Sequence, residues 1–194
     1  MNKRTVACTD EEYTKCVELL RNGFMLEGHF IKPNNRIATI VVLEATLGLR
    51  LGDILSLRLS SFVKEGERWR LDIVEQKTKK MRCFTVPIAV YSFIQEYALQ
   101  NNIGYEVKLF DISARQVQRH LNKVFTKLEL PLRKYGSHSF RKLFCTKVYT
   151  ENEFDLVLTQ TLMQHSSPEV TRRYLNISSK RIEEALNKTA SHLI

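Results

Sequence analysis

The apolar positions along this chain change their spacing twice. Near the start they recur at helical intervals. Tyr13, Val17, Leu20 and Phe24 follow a capping Thr9 or Asp10, which predicts a helix to about Leu26. Pro33 to Asn35 then opens a second helix through Ile37, Ile40, Val41, Glu44 and Leu47. It is apolar nearly all round, the pattern of a central helix buried by its neighbours. Gly48 stops it, and a short helix follows across Asp53, Ile54 and Leu57. The period next drops to two: Trp69, Leu71 and Ile73 alternate with Arg70 and Asp72, as in a half-buried strand. Phe62 and Val63 supply a strand before it, and Cys83 to Val86 one after it. A three-stranded antiparallel meander is expected, its second turn carrying Lys77, Thr78, Lys79 and Lys80 and its end marked by Pro87.

Helical spacing returns for the remainder. Ile88, Tyr91, Ile94 and Ala98 form one face. Ser113 caps a helix with Val117, Leu121, Val124, Phe125 and Leu128 inward, and Ser137 caps another with Phe140, Phe144 and Val148 inward. Phe154, Val157, Leu158 and Leu162 mark a further helix. Ser167, Pro168 and Glu169 combine cap, N1 proline and dipole-complementing acid. A last amphipathic helix starts at Ser178 or Ser179 and runs through Ile182, Ala185, Leu186 and Leu193. The fold class is α+β, mostly α, with one small three-stranded antiparallel sheet.

Composition narrows the possibilities. With 194 residues, 43% hydrophobic and 26% charged, the chain suits one globular domain over residues 1–194, without repeats or a flexible linker. Its longest apolar stretch, residues 37–47, is interrupted by Thr39, Glu44 and Thr46 and falls short of the ~20 residues that span a bilayer. No apolar signal segment precedes Asp10. The cysteines at 8, 16, 83 and 145 lack metal-ligand spacing, so no metal is expected, Cys145 reads as a buried thiol, and the setting reads as reducing and intracellular. Thirty Lys and Arg against 21 Asp and Glu give a formal charge of +9, which favours a polyanionic partner.

Four segments could carry chemistry, and each has a plainer reading. Behind a Ser137 cap, His138 and Arg141 project from one face of a helix's first turn, a good phosphate site or simply an exposed polar face. His165 and Tyr174 could react, or be a loop residue and a packed aromatic. Arg50 with Asp53 could be a helix stop with a local ion pair. The turn from Lys77 to Arg82 could be a solvated hairpin tip.

In this order and spacing, Arg50, a lysine on a β-turn, His138-x-x-Arg141, His165 and Tyr174 nine residues later closely resemble the tyrosine recombinase (phage integrase) family. The similarity runs from about residue 10 onward, through Leu47-Gly48-Leu49-Arg50-Leu51-Gly52-Asp53, Glu75-Gln76-Lys77-Thr78, His138-Ser139-Phe140-Arg141 and His165-Ser166-Ser167 to Tyr174-Leu175-Asn176-Ile177. The resemblance implies DNA strand cleavage and rejoining through a 3′-phosphotyrosine made by Tyr174, with no metal, cofactor or small-molecule substrate. It implies double-stranded DNA and further protomers in a synaptic complex as partners, no membrane, and a cytoplasmic protein encoded by a bacterium or phage. By the same resemblance Arg50 and Arg141 clamp the scissile phosphate, and His165 donates to it. A hairpin lysine acts as general acid, His138 helps move the tyrosine proton, and Asp53 orients the site. Lys77 fits the Glu-Gln-Lys-Thr context, whereas counting back from Pro87 favours Lys79. Lys79, Lys80, Arg82, Lys142, Arg172 and Arg173 are left to follow the flanking DNA backbone or face solvent.

The chain departs from the family pattern in places. Lys142 stands where many members carry histidine, and Gln164 where a glycine commonly precedes the second histidine. Only about 35 residues precede the central helix, too few for the family's N-terminal DNA-binding domain. A catalytic domain alone, or a short member, is expected. Residues 178–194 resemble the segment through which protomers pack, or else pack within the chain. A recombinase-like accessory module that binds without cutting, and a type IB topoisomerase, are the competing readings.

Overall fold

The computed structural model describes residues 5–165 and 167–175, which fall into two compact units divided after Phe144. The expected helix over 178–194 lies outside the described residues.

The first unit opens with α1 (Asp10–Asn22), started by a capping box: Glu12 N–H donates to Thr9 Oγ1 at 3.1 Å, and Thr9 N–H to the Glu12 carboxylate at 2.8 Å. Its inner face buries Cys16, Val17 and Leu20. The helix does not reach Leu26, because Gly23 adopts φ 75° and turns the chain into a two-stranded hairpin, β1 (Phe24–Leu26) and β2 (His29–Ile31). Glu27 and Gly28 both have positive φ, as a tight hairpin turn requires. Strands of three residues are too short to show a period of two.

Asn34 caps α2 (Asn35–Leu47) by accepting from Ile37 N–H at 3.1 Å. This is the expected central helix, with Ile37, Ile40, Val41, Leu43 and Leu47 fully inside. Gly48 ends it in the left-handed region at φ 59°. The next turn is α3 (Leu51–Ile54), with Arg50 at its N-cap position. Leu57 is buried beyond that helix, in a segment that bridges back to Lys108 through Arg58.

The expected meander is present as β3 (Phe62–Glu65), β4 (Arg68–Val74) and β5 (Met81–Val86), in that order and antiparallel. Register pairs Phe62 with Leu71 and Leu71 with Phe84. Trp69 stacks on Tyr91, ring centroids 3.6 Å apart, and so seats the sheet on α4 (Ile88–Gln100). On α4, Tyr91, Ile94, Tyr97 and Ala98 face inward, while Ile88 is exposed. Ser113 caps α5 (Ala114–Lys127) in a second capping box, and Val117, Leu121, Val124 and Phe125 are buried as the spacing predicts. Helix α6 (His138–Glu151) brings in Phe140, fully buried against Phe125 and Tyr13.

In the second unit, Glu153 and Phe154 are both left-handed, and Phe154 is a half-exposed turn residue rather than part of a helix. Its ring meets Tyr149 edge-on at 5.4 Å. Asp155 then caps α7 (Leu156–Met163), accepting from Val157 and Leu158 N–H at 2.8 and 2.9 Å. Helix α8 (Pro168–Leu175) starts at the expected proline. No helix among the described residues is long and apolar enough to cross a membrane.

Gly48 sets a tight requirement on the first unit. A Cβ there would lie 2.3 Å from the Phe144 ring, on backbone already at φ 59°. Gly48→Ala should cost at least ~2 kcal/mol in urea unfolding, from strain and overpacking together. Gly66→Ala, at φ 63° with open space around it, should cost only the left-handed penalty of roughly 1 kcal/mol. Equal losses in the two variants would show that ring crowding at Gly48 is not limiting.

Candidate active site

The C-terminal end of α2 presents carbonyls that no later turn of the helix satisfies. Two arginines take them. Arg82 donates from Nη2 to the Leu47 carbonyl at 3.2 Å, and Arg141 donates from Nη1 to the Gly48 carbonyl. Both side chains are buried, Arg82 at 1% exposure and Arg141 completely. Arg50 follows directly, and its side chain is 23% exposed. Three guanidinium groups therefore gather at one helix end, two inside and one facing partly outward.

Carboxylates balance them. Glu75 Oε2 accepts from Arg50 Nη1 at 2.6 Å and Oε1 from Arg82 Nη1 at 3.3 Å. Asp53 lies 4.0 Å from Arg50 Nη1, and its other oxygen accepts the Gln76 backbone N–H at 2.8 Å. Asp53 thus ties the Arg50 segment to the lysine-bearing turn. Glu44, wholly buried on α2, senses the Arg141 charge and the Ser137 hydroxyl, yet burial pushes its carboxyl well above the usual range. The opposite holds for Glu75. Burial opposes its charge, but the Thr78 hydroxyl and the Arg50 and Arg82 guanidiniums prevail and hold it below the usual range. Burial, then repulsion from Arg141, lowers Arg82 to about 10, with Glu75 pulling the other way.

His138 is the titratable group placed among these cations. Burial first, then the charges of Arg141, Lys142, Arg50 and Lys77, push its imidazole down to about 4. It is therefore neutral at pH 7 and able to take a proton. The hairpin lysine it senses is Lys77; Lys79 and Lys80 are exposed on the same turn, Lys79 with φ 57°.

In the second unit, His165 is buried, with Nδ1 2.9 Å from the Thr171 hydroxyl. When that hydroxyl donates to Nδ1, the ring proton sits on Nε2, the form that can donate to a phosphate oxygen. Gln164 precedes it at φ 48°, ψ 43°, the left-handed C-cap of α7. Arg172 is exposed and lies 3.6 Å from Glu169. Arg173 and Tyr174 are on α8, but their side chains fall outside the described residues.

Two expectations need correction. Arg82 does not face solvent or a DNA backbone: it is spent on Glu75, the Leu47 carbonyl and the Phe84 ring, 5.0 Å away. Lys142 is also buried, with Nζ donating to the Thr5 carbonyl at 2.5 Å. Sequence reasoning also passed over Glu75 and Glu44. The signal for Glu75 was present, since Glu75, directly after β4, continues the inward-facing alternation of Leu71 and Ile73. Arg82 shares the inward side of β5 with Val86 in the same way. Lys142 carried no such signal, because its partner lies 137 residues away. Among the described residues, no group of three or more His, Cys, Asp or Glu is placed to hold a metal ion.

Comparison with known proteins places these features in context. The Phage integrase family profile matches residues 28–181. "Probable integrase/recombinase YoeC" of Bacillus subtilis is 27% identical over 156 residues, covering 77% of this chain and 82% of that protein. "Tyrosine recombinase XerH" of Helicobacter pylori is 23% identical over 193 residues, covering 95% of this chain and 52% of XerH. The crystal structure of XerH bound to its palindromic difH substrate, a post-cleavage complex, superposes with a TM-score of 0.70 at 20% identity, over 95% of this chain and 53% of that one. The catalytic domain of bacteriophage HP1 integrase matches with a TM-score of 0.63 at 16% identity, over 95% of each chain. The chain thus spans about half the length of XerH and nearly all of the HP1 catalytic domain.

Two measurements follow from the site's geometry. In the unfolded chain His138 returns to about 6.5. Below that pH the unfolded state takes a proton that the folded state refuses down to about 4, so the stability from neutral His138 is complete above ~6.5 and lost as pH falls towards 4. His138→Gln should flatten the urea-unfolding free energy between those values relative to the parent; an unchanged slope there would mean that His138 titrates normally. Separately, Gln164→Gly should raise stability by up to ~1 kcal/mol, because glycine carries no Cβ penalty at a left-handed cap. A loss of stability would mean that the Gln164 side chain contributes more than the strain costs.

Proposed function

The chain belongs to the phage integrase family, and from that premise we propose that it is the catalytic part of a site-specific recombinase that cuts and rejoins DNA one strand at a time. Tyr174 attacks the scissile phosphodiester through its phenol oxygen. The P–O5′ bond breaks, a 3′-phosphotyrosine forms, and the 5′-hydroxyl leaves. Because the ester conserves the bond's energy, rejoining needs no external energy source.

The observation that carries this reading is the convergence of Arg50, Arg141, neutral His138 and the Lys77 turn at one helix end, with internal carboxylates holding them in place. Attack builds charge on the non-bridging oxygens, and guanidinium forks fixed beforehand stabilise it without reorganising. Neutral His138 accepts the phenol proton, and Lys77 protonates the departing oxygen. Lys77 is preferred over Lys79 because it is the turn lysine whose charge His138 senses. A bound phosphate cancels the repulsion around His138, so the imidazole becomes a better base as substrate arrives. His165, fixed by Thr171, adds a donor to the phosphate. The partners are double-stranded DNA and further protomers, residues 178–194 mediating their packing, and the setting is the cytoplasm of a bacterial cell.

A binding-only reading draws on one observation, the strained Gln164 beside His165. One assay separates the two. A pool of nicked duplexes with randomised central sequence is incubated with the protein, and DNA that stays attached after denaturation is recovered and sequenced. The parent should enrich a discrete sequence as a covalent adduct, and Tyr174→Phe should yield none. Sequence-selective retention under native conditions without any adduct would leave the binding-only reading standing.

A further inference from the structure

Glu75, to which no role has been assigned, joins several parts of the site. Its side chain receives Arg50 Nη1 at 2.6 Å, the Thr78 hydroxyl at 2.7 Å and Arg82 Nη1 at 3.3 Å. Its backbone closes the lysine turn: Glu75 N–H donates to the Lys80 carbonyl at 3.0 Å, and its carbonyl accepts from Lys79 N–H at 2.9 Å. Lys77 sits inside that loop. The residue before it is tied to Asp53, and the residue after it to the Glu75 carboxylate. One oxygen, Oε2, serves both Arg50 and Thr78.

We propose that Glu75 is a positioning residue that fixes the register between the Arg50 clamp and the Lys77 turn. This inference rests on the strand-cleavage reading above. A guanidinium pinned through Nη1 can still offer its other edge to a phosphate. The same carboxylate then holds the turn at a set distance from that guanidinium, so the phosphate on Arg50 arrives with its 5′ oxygen opposite the Lys77 ammonium. During cleavage the electron pair of the P–O5′ bond leaves on that oxygen, which takes a proton from Lys77. A turn free to slide would leave binding intact and put the acid out of reach, since proton transfer needs hydrogen-bond contact. A hydrophobic residue at position 75 would also complete the inward face of β4, but it could make none of these three ties.

The leaving group provides the test. With a 5′-bridging phosphorothiolate, a thiolate departs without needing a proton, so a defect in the acid is bypassed while a defect in the clamp or the fold is not. The probe is the nicked duplex recovered in the selection above, made with oxygen or sulfur at the bridging position. Thr78→Val removes the tie between the Glu75 carboxylate and the turn, together with a long 3.4 Å bond from Lys80 N–H, and leaves the backbone bonds of Glu75 in place. It should slow adduct formation about 10²-fold on the oxygen duplex, the scale of general-acid catalysis, and less than about 5-fold on the sulfur duplex. Lys77→Ala should show the same selectivity, and adding Thr78→Val to it should cost little more, as expected for two residues acting on one step. Glu75→Gln should reduce both rates through Arg50 and still raise the sulfur-to-oxygen ratio. Equal losses on both duplexes, or no loss with Thr78→Val, would overturn the positioning role while leaving strand cleavage in place. Absence of an adduct with the parent protein would overturn both.

Discussion

Three arginine side chains packed at the end of one helix would repel one another unless something fixed their number of partners, and the rest of the site follows from how that is done. Moving a guanidinium out of water costs several kcal/mol per ion even after relaxation, and only good geometry with further hydrogen bonds recovers it. Here the recovery comes from two sources. The helix supplies the Leu47 and Gly48 carbonyls, which carry the negative end of its dipole. The sheet supplies Glu75. Arg82 is the most deeply committed member, since it joins a helix carbonyl to a sheet carboxylate and lies over Phe84. It does no surface work; it shares the Glu75 carboxylate with Arg50 and ties that carboxylate to the end of α2. Catalytic stabilisation of a developing charge depends on dipoles that need not reorganise, so a buried arginine that never meets substrate can matter as much as one that does.

The same field explains how an imidazole next to four cations becomes useful. Burial and repulsion keep His138 neutral in the absence of an anion. In the proposed reaction a phosphate neutralises the positive surroundings that add to burial in depressing it, so proton affinity and substrate binding become coupled. Coupling of this kind needs no moving part, because the phosphate changes only which protonation state is favoured. At Glu44 the balance tips the other way: burial pushes its carboxyl well above the usual range, although the Arg141 charge and the Ser137 hydroxyl oppose that shift.

Much of the fold was legible because it rests on local chemistry. Thr9, Asn34 and Ser113 start helices by capping, Gly48 ends one in the left-handed region, and the alternation from Trp69 to Ile73 marks the middle strand. The hairpin of β1 and β2 was not legible, since three-residue strands fall below the length at which a period shows and Phe24 fits a helix equally well. At the site, Arg50, Asp53, His138 and Arg141 were picked out by residue type and order. Arg82 and Lys142 were placed outside because a charge was taken as a surface property, whereas each donates to a backbone carbonyl far away in sequence. Gln164 is intermediate. Its departure from glycine was visible at once, and the left-handed backbone beneath it supplies the reason glycine suits that position.

The formal charge of +9 must therefore be divided differently from the way composition suggests. Inside the first unit Arg82 is paired with Glu75 and the Leu47 carbonyl, Arg141 donates to the Gly48 carbonyl, and Lys142 is held by a backbone carbonyl of the N-terminal segment. Arg82 and Lys142 are thereby committed to internal partners, and Arg141 keeps a part only at the single phosphate of the proposed reaction. What remains outward among the described candidates is Lys79 and Lys80 on the turn and Arg172 on α8, the last already sharing its charge with Glu169. Counterion release counts phosphates actually neutralised, not basic residues in the sequence. The groups proposed to act on a single phosphate run from the buried Arg141 through the 23% exposed Arg50 to the exposed Lys77, so burial alone does not separate them from charges that could follow the backbone. In the proposed reaction a change at Lys79 or Lys80 therefore alters the charge a duplex meets without removing a side-chain tie inside the first unit, whereas a change at Arg82 or Lys142 removes such a tie and leaves the exposed charge as it was.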